Sequence, residues 1–298
     1  MEEQDGMVGG VDHFWLDLGS AGLCIGCQVL PRQAGCQVPI DARLHELGGV
    51  AVVSFVERET RIAVKLAPLF FDLDHTLWDF ESNSRHALRA GFLEVGLVKH
   101  GVETVDAWIE AYEKANEWCW AEFRHGRMDK ATLRSERFRL AMVQLNVEPD
   151  PEVAKKLGDH YIATSPHQTT LIEGSLEVLD KLAKRGHDMW LLTNGFDEVQ
   201  HIKVENSGLK PFFIDVYTSD SLGVKKPHAE AFHLSAQRAG ISMDAGVVMI
   251  GDSWESDVEG AQNVGWRGVH FNPVGELQPD AWRSVRSLRE LLELPLQV

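Results

Sequence analysis

From residue 67 onward the sequence predicts an α/β fold, a Rossmann-like parallel sheet with helices on both faces, interrupted by an inserted α-helical cap. Three observations predict it. Apolar runs of strand length alternate with amphipathic helical stretches, as in βαβ units. All but the last of these runs end in small or polar residues, where open parallel sheets place their ligands. A stretch of about ninety residues after the first run contains no convincing strand.

The elements follow in order. Residues 1–66 are glycine-rich and weakly periodic apart from a possible strand at 50–56, and read as a disordered or poorly structured extension. The α/β core is expected over 67–80 and 169–298, with strands at 69–73, 188–192, 212–217, 247–250 and 268–271. Between the first two strands, 81–168 reads as helices: Ala107, Trp108, Ile109 and Tyr112, then Leu133, Phe138, Leu140 and Met142, recur at helical spacing. Inserted after the first strand, these helices would cover the strand ends as a cap.

Composition excludes some partners. The 298 residues carry 45 acids against 29 Lys and Arg, a net charge of -16, which repels phosphate backbones and anionic lipid. No nucleic-acid polymer and no membrane is therefore expected as partner. Four cysteines, three of them clustered at Cys24, Cys27 and Cys36, do not resemble a secreted disulfide framework, and an acidic start is unlike a signal peptide, so a cytoplasmic location is expected. The clustered cysteines with His13 or His45 could bind zinc, but the usual second ligand pair is missing. Oligomeric state and natural substrate are not legible.

Four short motifs carry the chemistry. Asp72 and Asp74 follow the first strand two residues apart, so alternation turns both to one face beyond its end; acids also end strands as turn or cap residues. Thr193, Asn194 and Gly195 follow the second strand and offer a hydroxyl, an amide and a free backbone N–H to a phosphate, although such turns are common. Lys226 precedes Pro227, which fits the first position of a helix stopped by Gly240, and this would aim an ammonium and a helix N-terminus at one anion. Gly251 and Asp252 end the fourth strand, with Asp257 at the mouth of the next helix, where a capping role is the alternative. Carboxylates gathered at two strand ends repel one another unless a hard cation lies between them. Mg2+, which takes few protein carboxylates plus water and phosphate, suits phosphoryl transfer.

This ordered series, Asp72-x-Asp74, Thr193, Lys226 and Gly251-Asp252 with Asp257, resembles the haloacid dehalogenase (HAD) superfamily of phosphatases over about residues 67–298. The resemblance implies that Asp72 is a nucleophile, phosphorylated during turnover, and that Asp74 serves as general acid and then base. It implies that Thr193 and Asn194 hold the phosphoryl oxygens and that Lys226 offsets charge. Mg2+ would be bound by Asp72, the backbone carbonyl of Asp74 and Asp252, with Asp257 acting as ligand or orienting Lys226. An acid at 74 favours phosphate esters over halides, which leave without a proton.

A finer resemblance, to the pyrimidine 5′-nucleotidase branch, rests on the run from Asp74 to Phe80, on Asn116, Trp118, Phe123, Gly126, Leu133, Arg137 and Phe138, on Thr193 to Phe196, and on Glu255-Ser256-Asp257. It implies a small phosphorylated metabolite, a nucleotide, as substrate. Trp78, Phe80, Trp118, Trp120, Phe123 and Phe196 could wall a base or pack the cap's own core, and Arg124, His125 and Arg127 could meet a polar base edge or be solvated. A phosphoglycolate or sugar-phosphate phosphatase, a phosphomutase and a non-catalytic nucleotide-binding protein are the competing readings.

Overall fold

The computed structural model describes residues 65–298 in full and, before them, the backbone of two strands only. The chain divides into two compact units, 1–63 and 64–298. In the first, β1 (Ile40–Leu47) and β2 (Val50–Glu57) pair antiparallel. The strand expected at 50–56 is therefore present, and it has a partner that sequence reading missed. The zinc candidates Cys24, Cys27 and Cys36 lie outside the described residues.

In the second unit six parallel strands form one sheet: β3 (Leu69–Phe71), β4 (Met189–Thr193), β5 (Val216–Thr218), β6 (Val248–Gly251), β7 (Arg267–Phe271) and β8 (Arg283–Val285). Their spatial order is β5-β4-β3-β6-β7-β8. The chain thus builds outward from β3 on one side, then returns to build on the other. The crevice between β3 and its neighbours at their carboxyl ends is the switch point where doubly wound sheets bind ligands.

Alternation along the strands explains the two-faced core. Leu69, Phe71 and Leu191 face one helical layer. Phe70, Trp190, Leu192 and Met249 face the other, where the Phe70 and Trp190 rings stack at 5.3 Å. The run expected as a strand over 212–217 yields only the three residues of β5. Pro211 holds Lys210–Phe212 in a 3-10 turn, and pairing begins after it. The last strand, β8, was not expected, because three residues are too few to show a period.

Four helices fill the strandless stretch: α1 (Phe80–Val95), α2 (Val105–Arg124), α3 (Lys130–Gln144) and α4 (Pro151–Thr164). Each begins on a side chain that accepts from its first free N–H groups, namely Asp79, Thr104, Asp129 and Asp150. Their apolar faces close on a core of their own that includes Trp108, Tyr112, Phe138, Leu157 and Tyr161. The sheet is flanked by α5 (Ser175–Arg185), α6 (Asp197–Asn206), the single turn α7 (Ser219–Leu222), α8 (Ala229–Ala239) and the short α9 (Gly260–Asn263). Pro227 does not open α8 as expected. It follows Lys226 through a cis peptide and precedes the helix, whose cap position is His228. Among the described residues no helix is long and apolar enough to cross a membrane.

Candidate active site

Three adjacent strands deliver the site. Asp72 follows β3, Thr193 ends β4, and Asp252 follows β6, so all three emerge at the same edge of the sheet. There they line one cavity of about 510 Å³, together with Asp74, Asn194, Lys226 and Asp257.

Lys226 is the hub. Only 1% exposed, it donates through Nζ to Asp72 Oδ1 at 2.7 Å, to Asp257 Oδ1 at 2.6 Å and to the Leu192 carbonyl at 2.5 Å. All three ammonium protons are therefore used, which is how a buried charge becomes tolerable. Burial works against that charge, yet the Asp257 and Asp72 carboxylates outweigh it and push the ammonium up to about 12.

The carboxylates respond in the opposite sense. Burial, against the pull of Lys226, raises Asp72 to about 7. Burial, reinforced by the Asp72 charge, raises Asp252 to about 6. Burial also raises Asp257. One oxygen from each of Asp72, Asp252 and Asp257 lies within 4.8 Å of the others. Two buried acids and a half-buried third so close, with one ammonium among them, leave negative charge uncompensated, and an oxygen-seeking divalent cation is the group that relieves it. The residues fit Mg2+ on this count. Asp257 is already engaged, because its Oδ2 accepts from the Ser253 N–H at 3.0 Å while Oδ1 holds Lys226. It does not cap the turn that follows. Ser253 does, accepting from the Ser256 N–H.

Asn194 also differs from expectation. Its Oδ1 accepts from the Lys226 N–H at 2.8 Å and its Nδ2 donates to the Lys226 carbonyl at 2.9 Å. The oxygen and one amide proton clamp the lysine's backbone, so Asn194 fixes Lys226 and keeps one Nδ2 proton for a phosphoryl oxygen. Thr193 keeps that capacity: its Oγ1 accepts from the Gly195 N–H and from Gln200 Nε2, which leaves the hydroxyl proton to donate.

Asp74 meets partners that sequence reading did not anticipate. Lys203 Nζ donates to its Oδ1 at 2.6 Å, and Gln200 Nε2 to its Oδ2 at 2.9 Å. Both donors lie on α6, just after the Thr193 turn. Gly195 makes the approach of Gln200 possible, since a Cβ there would stand 2.2 Å from Gln200 Nε2. Their only sequence signal was a polar pair three residues apart on one face of a helix. Thr76 and His270 complete the surroundings. Thr76 Oγ1 bonds Asp252 at both its carboxylate and its N–H, and His270 Nε2 bonds the Asp252 carbonyl.

Residues 69–265 match the haloacid dehalogenase-like hydrolase family. The chain belongs to the haloacid dehalogenase-like hydrolases. It is 30% identical over 231 residues to the pyrimidine 5′-nucleotidase YjjG of Escherichia coli strain K12, covering 76% of this chain and 96% of that one. It is 31% identical over 229 residues to the pyrimidine 5′-nucleotidase PynA of Streptococcus pneumoniae, covering 76% and 93%. The magnesium-bound HAD-hydrolase YfnB of Bacillus subtilis superposes with a TM-score of 0.68 at 27% identity over 77% of this chain and 98% of that one. Both the superfamily and the branch read from the motifs are thereby borne out.

In this haloacid dehalogenase-like hydrolase the cap contributes fewer of the expected side chains. Of Trp78, Phe80, Trp118, Phe123, Arg127 and Phe196, only Phe80 lines the cavity. Trp78 is fully buried beneath Lys203, whose Nζ lies 4.2 Å from the ring centroid. Trp118 is 51% exposed. Phe123 and Phe196 pack edge to face at 5.5 Å, and Arg127 is paired with Glu122. Of the other expected residues Trp120 and Arg124 do line it; Phe80, Trp120 and the unanticipated Tyr112 form the aromatic wall, joined by Arg124, Ser84, Glu113, Asn116 and Glu117. Helical spacing finds the buried stripe of α2, but it cannot say which residues at the stripe's edge face a cavity.

Proposed function

We propose that this hydrolase cleaves phosphomonoesters through a phosphoaspartate on Asp72, with Mg2+ as cofactor and nucleoside 5′-monophosphates as substrates. The observation that carries the reading is the contact of Lys226 with both Asp72 and Asp257, at the end of a cavity that also presents Thr193. Asp72, Asp252 and the neighbourhood of Asp74 would hold the cation, which when bound offsets phosphate charge and the mutual repulsion of the acids.

The reaction then runs in two halves. A carboxylate oxygen of Asp72 attacks phosphorus, the ester P–O bond breaks, and the departing oxygen takes a proton from Asp74. Thr193 donates to a phosphoryl oxygen and Lys226 keeps Asp72 aimed. In the second half water gives a proton to Asp74 and attacks phosphorus, which releases phosphate and restores Asp72. Lys203 and Gln200 hold the Asp74 carboxyl in place for both halves.

The nucleotide assignment is supported by the two nucleotidase relatives and by an aromatic and polar wall opposite the carboxylates. The acids Glu113 and Glu117 on the same wall suit the hydroxyls of a sugar phosphate as a second reading. A steady-state panel of UMP, dUMP, dTMP, phosphoglycolate and sugar phosphates, with and without Mg2+ and with Asp72→Asn as blank, tests both. Nucleotide turnover that needs Mg2+ and vanishes in Asp72→Asn is expected. Turnover confined to sugar phosphates or phosphoglycolate overturns the nucleotide assignment, and an active Asp72→Asn overturns the covalent route.

A further inference from the structure

A third buried cation, far less well matched than Lys226 or Lys203, sits in the cap. Arg137 on α3 is 3% exposed and forms no ion pair among the described residues. Its guanidinium lies 4.8 Å from the Tyr161 ring centroid, 5.3 Å from that of Phe138 and 5.7 Å from that of Tyr112. These π-faces offset part of the cost of burial. Its Nε has no partner, and its polar contact is Nη1 donating to Asn116 Oδ1 at 3.1 Å. A helix pair held only by packing would be better served by an apolar residue, since burying a charge without a counter-ion costs stability.

What this arrangement does achieve is to orient one amide. Guanidinium offers donors only, so the oxygen of Asn116 must face Arg137. The Tyr112 hydroxyl lies 3.4 Å from the same oxygen. The Nδ2 end is then turned away, and it has no hydrogen-bond partner among the described residues, although Asn116 is 8% exposed and lines the cavity. A buried amide with one end locked and the other unpartnered at a cavity wall is a donor waiting for an acceptor. The positive charge behind its carbonyl polarises the amide and strengthens that donor.

We infer that Asn116 is a specificity-determining residue whose Nδ2 donates to a carbonyl oxygen of the leaving group, and that Arg137 is the positioning residue that fixes it. The inference rests on the nucleotide reading and deepens it. A cap that presents a fixed donor favours a base edge bearing an oxygen over one bearing an amino group, because an amino group facing Nδ2 would leave two donors opposed.

Two ratios of kcat/KM, and their changes in variants, test this: UMP to CMP, and UMP to phenyl phosphate, whose leaving group has no carbonyl acceptor. The wild type is expected to favour UMP over CMP. In Asn116→Ala the ratio of UMP to phenyl phosphate falls about tenfold through KM, the size of one lost hydrogen bond to an oriented donor. Asn116→Asp keeps the Arg137 contact but presents an acceptor, and it shifts preference toward CMP. Arg137→Met reproduces the loss in the UMP ratio, and Arg137→Lys recovers part of it. If UMP and phenyl phosphate decline in parallel, Arg137 and Asn116 serve the fold alone and the inference is overturned. A wild type that turns over UMP, with a ratio that survives Asn116→Ala, overturns this inference and leaves the nucleotide reading standing. A wild type that hydrolyses phenyl phosphate but neither nucleotide overturns both.

Discussion

Lys203 donates to Asp74 Oδ1 at 2.6 Å while its ammonium sits 4.2 Å from the centre of the Trp78 ring. Its side chain is 5% exposed, and that of Asp74 is 23% exposed. One lysine on α6 therefore ties the loop after β3 to the layer that follows β4, by charge on one side and by a π-face on the other.

Removing that tie leaves a largely buried carboxylate without its cation. Lys203→Met should lower stability by about 2 kcal/mol, less than a fully buried pair would lose because Asp74 keeps some solvent and its bond from Gln200. The urea midpoint reads this directly. A midpoint equal to that of the wild type would mean that the contact contributes nothing to holding the loop.

Such pairs mark the boundary of what the sequence could disclose. Asp72, Thr193 and Asp252 were legible because each ends an apolar run, and a parallel sheet necessarily collects its strand ends at one edge; Lys226 was legible from its place before Pro227 and the helix that follows. Asn194 was placed at the right turn, but its task was not legible, since an amide at a turn can face a ligand or clamp a neighbour and only the Lys226 backbone decides. Lys203 and Gln200 were hidden because α6 has hardly any apolar stripe to mark its buried face, which is itself mostly polar, so its polar residues read as solvated. Arg137 was legible as part of a motif, yet its burial amid three rings belongs to the packing of α2, α3 and α4, which no local pattern encodes.

Asp257 contributes one of two carboxylates that raise Lys226. In Asp257→Asn the desolvation that opposes the charge meets only Asp72, so the ammonium falls from about 12 and loses its proton at lower pH. The alkaline limb of kcat/KM should move to lower pH, and kcat should drop about a hundredfold as Asp72 loses its aim. A pH–rate profile with an unmoved alkaline limb would show that Lys226 is held by Asp72 alone.

Gly251 ends β6 directly beneath this pair. A Cβ at that position would stand 2.2 Å from Asp257 Oδ2 and 2.6 Å from its Cβ, so the side chain cannot yield by swinging its tip alone. Gly251→Ala should therefore displace Asp257, cost about 2–3 kcal/mol as overpacking does, and reduce turnover as Asp257→Asn does. Thermal unfolding and kcat measured on one preparation check both effects. Retained activity with lowered stability would place the adjustment in the strand and leave Asp257 where it is.

The acids make stability depend on pH with a definable sign. Asp72 is held at about 7 and Asp252 at about 6, both above the ordinary 3.8. Between those limits the folded chain binds more protons than the unfolded one, so without a cation stability falls as pH rises. The loss is complete once pH exceeds about 7. On the proposed reading, a divalent cation would bind the deprotonated acids and restore what their repulsion removes, most where they are ionised. Added Mg2+ should accordingly raise Tm more at about pH 8 than at about pH 5. Asp252→Asn should shrink the Mg2+ effect, and at about pH 8 the metal-free variant should melt above the metal-free wild type because one repelling charge is gone. Differential scanning calorimetry on both proteins, with EDTA and with MgCl2, separates these outcomes. A Tm increment from Mg2+ that is independent of pH would mean that the cation binds somewhere other than among Asp72, Asp252 and Asp257.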